Sequence, residues 1–502
     1  LKTLRKYHKW LSLIFGFIIL LFALSGILLN HRNLISGMDL NRKLLPSQYQ
    51  MNHWELGSLK TSLKLDSNMV LWYGNMGMMI TDTLFHNPEP FTRGIPYGMD
   101  HQRIHKVFKS QHQILLAATQ SALYRFNTSE NLWKQLVLPG PDQQVVDITQ
   151  VADSLYFLTR SYILISDEQL QNFKIKILPP PENYDNKIGL FKTLWVIHSG
   201  EIYGNIGRLL VDFAGLILIF LTITGYILFF KKRKFRNPKL QDHQRSRQKG
   251  HIRWNLKWHN RLGWTTVVLL IVTTATGMFL RPPLLAAIGN IKVAKIPFTE
   301  LDTENPWFDQ LRRFTYDAGQ KRFVISTSEG VFYSTDFFKT ELKTFEQQPP
   351  ISVMGATVFE TISTGSYLVG SFEGLFLYQP QKAMIWDVIK QQVYQAPKTM
   401  GPPIGEFLIS GYSQDFGSSV VVFDYNQGAL MLNRNQSFPE PTQVQKDDFR
   451  MPLWNFALEI HTARIFQSLV GDFYVLIIPL SALVLLFILI SGFLIWYKLY
   501  RK

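Results

Sequence analysis

Not one cysteine occurs among the 502 residues. Disulfides, thiolate nucleophiles, iron–sulfur clusters, Cys-based zinc sites and the C-x-x-C-H attachment of c-type haem are all excluded with it. Redox chemistry, if present, must use a cofactor held without a covalent bond, and histidine is then the available iron ligand. No G-x-G-x-x-G follows a strand-like run, so the usual nucleotide-binding fingerprint is missing as well. Charge is nearly absent from four stretches, Leu11–Leu29, Leu209–Phe230, Leu262–Leu280 and Phe473–Trp496, where Asp212 stands alone.

Each stretch has the roughly 20 apolar residues needed to cross a bilayer core of about 30 Å. A buried soluble helix is seldom apolar on every side for so long. The first run lacks a small-residue cleavage site after it and is expected to be a retained span. The net charge of +15 is concentrated at the ends of these runs. Twelve Lys or Arg and one acid, Asp242, lie in Lys231–Arg261; Lys2, Arg5, Lys6 and Lys9 precede the first run, and Lys498, Arg501 and Lys502 follow the last. The positive-inside bias puts both termini and the 231–261 segment in the cytoplasm and both long connections outside. Juxtamembrane basic runs are ordinary topological signals, so no nucleic-acid partner is needed to explain them.

The expected organisation is a first span with its N-terminus at 1–31, an outer β region at 32–197 and a second span at 198–232. A basic cytoplasmic loop at 233–258, a third span at 259–282, a second outer β region at 283–455 and a fourth span at 456–502 follow. The fold class is an integral membrane four-helix bundle with an all-β periplasmic domain. Within the β regions one pattern recurs: VLWYGNMGMMITD from Val70, LLAATQSALYRFN from Leu115, LYFLTRSYILISD from Leu155, FVISTSEGVFYST from Phe323, YLVGSFEGLFLYQ from Tyr367, and a looser FLISGYSQDFGSSVVVFDY from Phe407. A period of roughly 40–45 residues with several strands per repeat marks a β-propeller. Three repeats per connection predict one six-bladed propeller split 3+3, since two half-rings would leave open edges. A pair of unrelated β-sandwich-like domains is the alternative.

The halves also repeat in their spans. YHKWLSLIFGFIILLFALSGILL aligns with WHNRLGWTTVVLLIVTTATGMFL, and His8 precedes Gly26 by the same 18 residues that separate His259 from Gly277. Eighteen residues is five helical turns, which predicts each His on the same face as its Gly. Glycine there admits a neighbouring helix or a flat ligand. Ile197-His198-Ser199 and Ile460-His461-Thr462 precede the even runs, which carry Thr224-Gly225 and Ser491-Gly492. The expected topology puts His8 and His259 at the cytoplasmic face and His198 and His461 at the outer face. Two imidazoles at each face suit six-coordinate b-type haem. His31, near the outer face, is a substitute ligand without a counterpart in the second half. An interfacial His is also commonly a mere anchor or hydrogen-bonding residue. His101, His105 and His112 are assigned no role.

These motifs, H-K-W…S-G and H-N-R-L-G…T-G with I-H-S-G-E-I and I-H-T-A-R-I-F, resemble the PepSY-associated transmembrane helix family over roughly 130 residues of spans and flanks. Its members include ferric-siderophore reductases of the bacterial inner membrane with two b-type haems. The resemblance implies electron transfer to a periplasmic acceptor such as a ferric siderophore or other ferric complex, with His8, His259, His198 and His461 as candidate haem ligands. The outer region departs from the family by reading as propeller in place of PepSY. Gly26 and Gly277 would make room for the cofactor, and Arg464, with Arg32, Arg208 and Arg281, would face its propionates or anchor the interface. The electron donor would be a quinol or a separate cytoplasmic reductase. The competing reading is a cofactor-free, membrane-anchored propeller serving as a binding, sensor or assembly module. A transporter is disfavoured because Asp212 alone offers little for an ion path.

Overall fold

The computed structural model describes residues 1–235, 242–289, 291–352, 355–395, 405–433 and 436–500, with side chains of all of these except 232–235, 242–248 and 500. Residues 236–241 of the basic segment thus lie outside the described residues. Two compact units emerge, one of Leu1–Ile35, Asn186–Asp302 and Leu453–Lys502, the other of Ser36–Asp185 and Thr303–Pro452.

The first unit is helical. We number its principal helices α1 (Lys2–Asn30), α2 (Leu190–Ser199), α3 (Gly204–Phe235), α4 (Asp242–Thr265), α5 (Val267–Met278), α6 (Leu453–His461) and α7 (Ile477–Tyr500). Three segments, Lys2–Asn30, Glu201–Lys231 and Arg464–Leu499, are long and apolar enough to cross a membrane, and α4 and α5 make a fourth only if the bent pair is taken as one span. Ile14 and Phe17 of α1 are 65% and 63% exposed, as lipid-facing side chains would be. Inward packing is close: a Cβ on Gly16 would lie 2.6 Å from the Tyr226 hydroxyl, which donates to Leu13 O at 3.1 Å. Small residues at such crossings replace the hydrophobic drive that lipid removes.

The straight third span expected over 259–282 is instead bent by 63° between Thr265 and Val267. The hydroxyls of Thr265 and Thr266 donate to Arg261 O and Leu262 O at 2.9 and 2.7 Å. Thr266, between the two helices, has left the helical backbone at φ −109° and ψ 4°. His259 and Gly277 therefore do not share one helix face. Much of the basic segment is helix, since α3 runs to Phe235 and α4 begins at Asp242. His198 and His461 sit in the last turns of the separate short helices α2 and α6, ahead of the long ones.

The second unit consists of antiparallel sheets of the kind that form propeller blades. Three come from each connection. Their first strands are β1 (Thr61–Lys64), β2 (Ile104–Lys109), β3 (Asp147–Val151), β4 (Leu311–Asp317), β5 (Val358–Ser363) and β6 (Ile409–Phe416). Side chains stitch each to the next. Lys109 Nζ donates to Leu65 O at 2.6 Å, Lys106 lies 3.9 Å from Asp147, and Phe314 N donates to Asp147 at 3.3 Å. Thr315 and Thr361 meet at 2.9 Å, Thr357 Oγ1 donates to Ile409 O at 2.7 Å, and Ser62 donates to Asp415 at 2.6 Å. The last contact returns from β6 to β1 and closes the ring. A separate apolar cluster fills each seam, from Trp54, Trp72 and Phe423 between the sixth and first sheets to Leu368, Leu375 and Val422 between the fifth and sixth. The expectation of unrelated sandwiches is thereby set aside.

Five of the six sequence repeats are the second and third strands of their sheets, for example Met69–Gly74 with Gly77–Asp82. The sixth is displaced by one strand. The run from Phe407 covers β6 and Ser419–Asp424, whereas the matching hairpin is Ser419–Asp424 with Gly428–Met431. Apolar content alone could not separate those neighbouring strands.

Candidate functional site

All four family-pattern histidines lie in the helical unit, and each rests on a small-residue–Gly pair of another helix. His8 on α1 meets Ser491-Gly492 of α7: its Nδ1 lies 3.1 Å from Ile488 O and 3.0 Å from Ser491 Oγ. His461 on α6 meets Ser25-Gly26 of α1, with Nδ1 3.0 Å from Phe22 O and 3.2 Å from Ser25 Oγ. His198 on α2 meets Thr276-Gly277 of α5, where Nδ1 is 2.8 Å from Thr273 O. His259 on α4 meets Thr224-Gly225 of α3, with Nδ1 2.9 Å from Thr224 Oγ1.

The carbonyls accept, so Nδ1 carries the proton in these seats. The hydroxyls turn their own protons back along the helix, as Ser25 Oγ does toward Leu21 O at 2.7 Å and Thr224 Oγ1 toward Phe220 O at 2.8 Å, leaving a lone pair for the ring. The imidazole is thus held as the tautomer whose Nε2 has a free lone pair, the form that ligates a metal. Nε2 of His8, His198 and His461 has no protein partner among the described residues.

Glycine is required where the ring lies. A Cβ on Gly277 would come within 2.4 Å of His198 Cε1, and one on Gly26 or Gly492 within 3.1 Å of His461 or His8 Cε1. Gly225 is looser, at 3.9 Å from His259 Cε1. The small–Gly pairs were visible in the sequence, but their partners were not. The spacing of 18 residues paired each His with a Gly of its own helix, whereas all four contacts run between the two halves of the chain.

His198 and His461 are brought together, with ring centroids 5.9 Å apart and planes inclined by 42°. Two Nε2-ligated imidazoles on one metal, with bonds of about 2.0–2.1 Å each, put ring centroids about 6 Å apart. The separation of the His198 and His461 rings thus matches that of two imidazoles on one metal. His31 does not join it: its Nε2 lies 2.8 Å from Asp212 Oδ2, and Asn30 Nδ2 donates to the other carboxylate oxygen at 2.8 Å. The only charged residue of the four apolar runs is thereby engaged. Arg464 lies 3.2 Å from Glu459, Arg208 3.0 Å from Glu201, and the Arg32 guanidinium 4.2 Å from the Trp454 ring. No cluster of three or more His, Asp or Glu able to hold a bare metal ion occurs among the described residues.

The profile of the PepSY-associated TM region family matches residues 5–498. A comparison with curated proteins gives no match. Among solved structures, the extracellular domain of a candidate hybrid two-component system from B. thetaiotaomicron is similar at 9% identity and a TM-score of 0.34, over 77% of this chain and 40% of that one. The N-terminal domain of Nup159 matches at 10% identity and a TM-score of 0.31, over 76% of this chain and 91% of its own. PorZ, a surface component of the type-IX secretion system of Porphyromonas gingivalis, matches at 9% identity and a TM-score of 0.20, over 73% and 44%. The chain spans about 40% of the first of these structures.

Proposed function

Because the chain belongs to the PepSY-associated TM region family, we propose that it is a dihaem transmembrane electron-transfer protein that reduces a ferric complex, such as a ferric siderophore. His198 and His461 would hold one b-type haem, and His8 and His259 the other. The observation carrying this reading is the same histidine seat built four times, always between the halves. A b-type haem bound there supplies a one-electron ferric/ferrous couple.

The chain's own residues supply the rest. Phe22, Thr273 and Ile488 carbonyls hold the Nδ1 protons, which orients the rings and raises the basicity of Nε2. Gly26 and Gly277 let the outer rings sink against the helices. Arg464, paired with Glu459, offers a guanidinium to a propionate. In this reading the protein lies in a bacterial inner membrane with both termini cytoplasmic and the sheet ring in the periplasm as a six-bladed propeller. A quinol or a separate cytoplasmic reductase would donate the electrons.

The test is an absorption spectrum of the full chain purified from haem-replete cells. Two low-spin b-type haems per protein are expected, with one lost in His198→Ala or His461→Ala and the other in His8→Ala or His259→Ala. A protein without a Soret band would sink the proposal and favour a cofactor-free propeller anchor.

A further inference from the structure

Helix α4 has two unlike flanks. At about 100° per residue, Ile252, Asn255, Leu256, His259, Leu262 and Gly263 fall on one side. That side is seated: Asn255 is buried, His259 Nδ1 lies 2.9 Å from Thr224 Oγ1, and a Cβ on Gly263 would lie 3.8 Å from Leu221. The opposite side carries Arg253, Lys257 and Arg261, one per turn and all exposed. None of the three pairs with an acid among the described residues. Tryptophans interleave with them. Trp254 and Trp264 are 55% and 40% exposed, the Arg261 guanidinium lies 5.5 Å from the Trp258 ring, and the rings of Trp254 and Trp258 are 6.5 Å apart.

Such a flank suits neither water nor hydrocarbon. Exposed indoles gain nothing from water, and acyl chains cannot solvate guanidinium or ammonium groups. The headgroup layer of a bilayer accommodates both, with indoles at the level of the esters and cations on the phosphates. Other helices show aromatics at the same end of the helical unit. Tyr7 and Trp10 of α1 and Tyr497 of α7 are 54%, 44% and 43% exposed. Lys9 Nζ lies 4.8 Å from the Trp10 ring, and Trp264 stacks on Trp496 of α7 at 4.6 Å with planes 9° apart. A belt of this kind marks a membrane interface. A topological signal needs only a count of positive charges. It does not need them confined to one flank and set among tryptophans.

We propose that the outward flank of α4 binds the phosphate groups of anionic phospholipids, with Arg253, Lys257 and Arg261 as direct ligands and Trp254 and Trp264 set among the esters. Charge-assisted hydrogen bonds from arginine and lysine recognise such phosphates. The opposite flank presents His259, so a lipid held here also fixes the helix that positions that ring. This consequence rests on the dihaem reading. The lipid site itself needs only that the helical unit lies in a membrane.

The test uses the full chain in a neutral detergent, offered fluorescent phosphatidylglycerol or phosphatidylcholine, with the lipid retained per protein measured against salt. Phosphatidylglycerol should be retained in preference, and the preference should shrink as salt is added. Each lost cation should lower it about fivefold, so Lys257→Gln combined with Arg261→Gln should lower it about 25-fold. Arg261→Lys should keep most of it. These positions are exposed, so the variants should fold as the parent does. Lys2→Gln with Lys6→Gln removes the same charge from outside the flank and should leave the preference near the parental value. Equal retention of the two lipids by the parent would overturn the proposal and favour an acidic protein as the occupant. An equal loss in the Lys2 and Lys6 pair would overturn it too, since net charge and not a site would then be at work. A preparation without a Soret band that still selects phosphatidylglycerol would sink the dihaem reading and leave the lipid site standing.

Discussion

Tryptophan meets opposite fates in the two units. In the sheet ring Trp54, Trp72, Trp133 and Trp307 are at most 1% exposed, while in the helical unit Trp10 and Trp254 are 44% and 55% exposed. The ring is built for water and draws its stability from burying aromatic area in six seams. The helical unit turns large apolar side chains outward and makes close interior contacts through glycines, hydroxyls and imidazoles. One unit spends its sequence on packing and the other on seats for four rings. A change of one methylene should therefore act on stability in the first and on a specific site in the second.

The sharpest break of that contrast is Gly277→Val. Its Cβ would press on His198; on the dihaem proposal, one haem should then vanish from the spectrum while the ring still melts at its parental temperature. Gly225→Ala, with 3.9 Å of room, should leave the spectrum of the parent protein unchanged. The reverse experiment is Trp72→Ala, which empties a fully buried site between the first and sixth sheets. About 3–5 kcal/mol of ring stability should be lost in denaturant unfolding, with the absorption spectrum unchanged.

Next in size is Arg322→Met. Arg322 donates to the Tyr367 hydroxyl at 2.8 and 3.0 Å, and that hydroxyl donates to Asp317 at 2.8 Å. Removing the cation strands a buried carboxylate, which should cost the ring about 3 kcal/mol or more. Adding Asp317→Asn should recover part of the loss. Smallest is the pH response of His105. Its folded-state affinity for a proton lies well below the ordinary value, so its contribution is present above the unfolded pKa of about 6.5 and is lost as pH falls below it. Ring stability should decline by at most about 1.4 kcal/mol per pH unit from this group. The denaturant midpoint of His105→Gln, followed from neutral to acid pH, should fall less steeply than the parent's.

The ring was the more legible unit. Paired strands repeat their apolar pattern locally, so five hairpins could be located from Val70, Leu115, Leu155, Phe323 and Tyr367. The sixth slipped because β6 and its neighbour are both apolar and Gly-containing. The histidines and their small–Gly pairs were also readable, since duplication copied them. Their partnership was hidden because periodicity within one helix says nothing of which helix lies beside it. The break at Thr265–Thr266 was hidden too, since threonines such as Thr222 and Thr224 also sit in unbroken stretches of the spans with their hydroxyls turned back to the preceding turn. Asp212 and His31 stood out separately, but 181 residues of chain separate them and only the fold makes them a pair.

Helix α1 bears His8 near one end and, at Gly26, the seat of His461 near the other. Eighteen residues at 1.5 Å each make this a rod of about 27 Å between the two positions. A rod transmits screw motion from tip to tip. Any rotation or slide of α1 that loosens His8 from Gly492 must also unsettle His461, so the two membrane faces cannot relax separately.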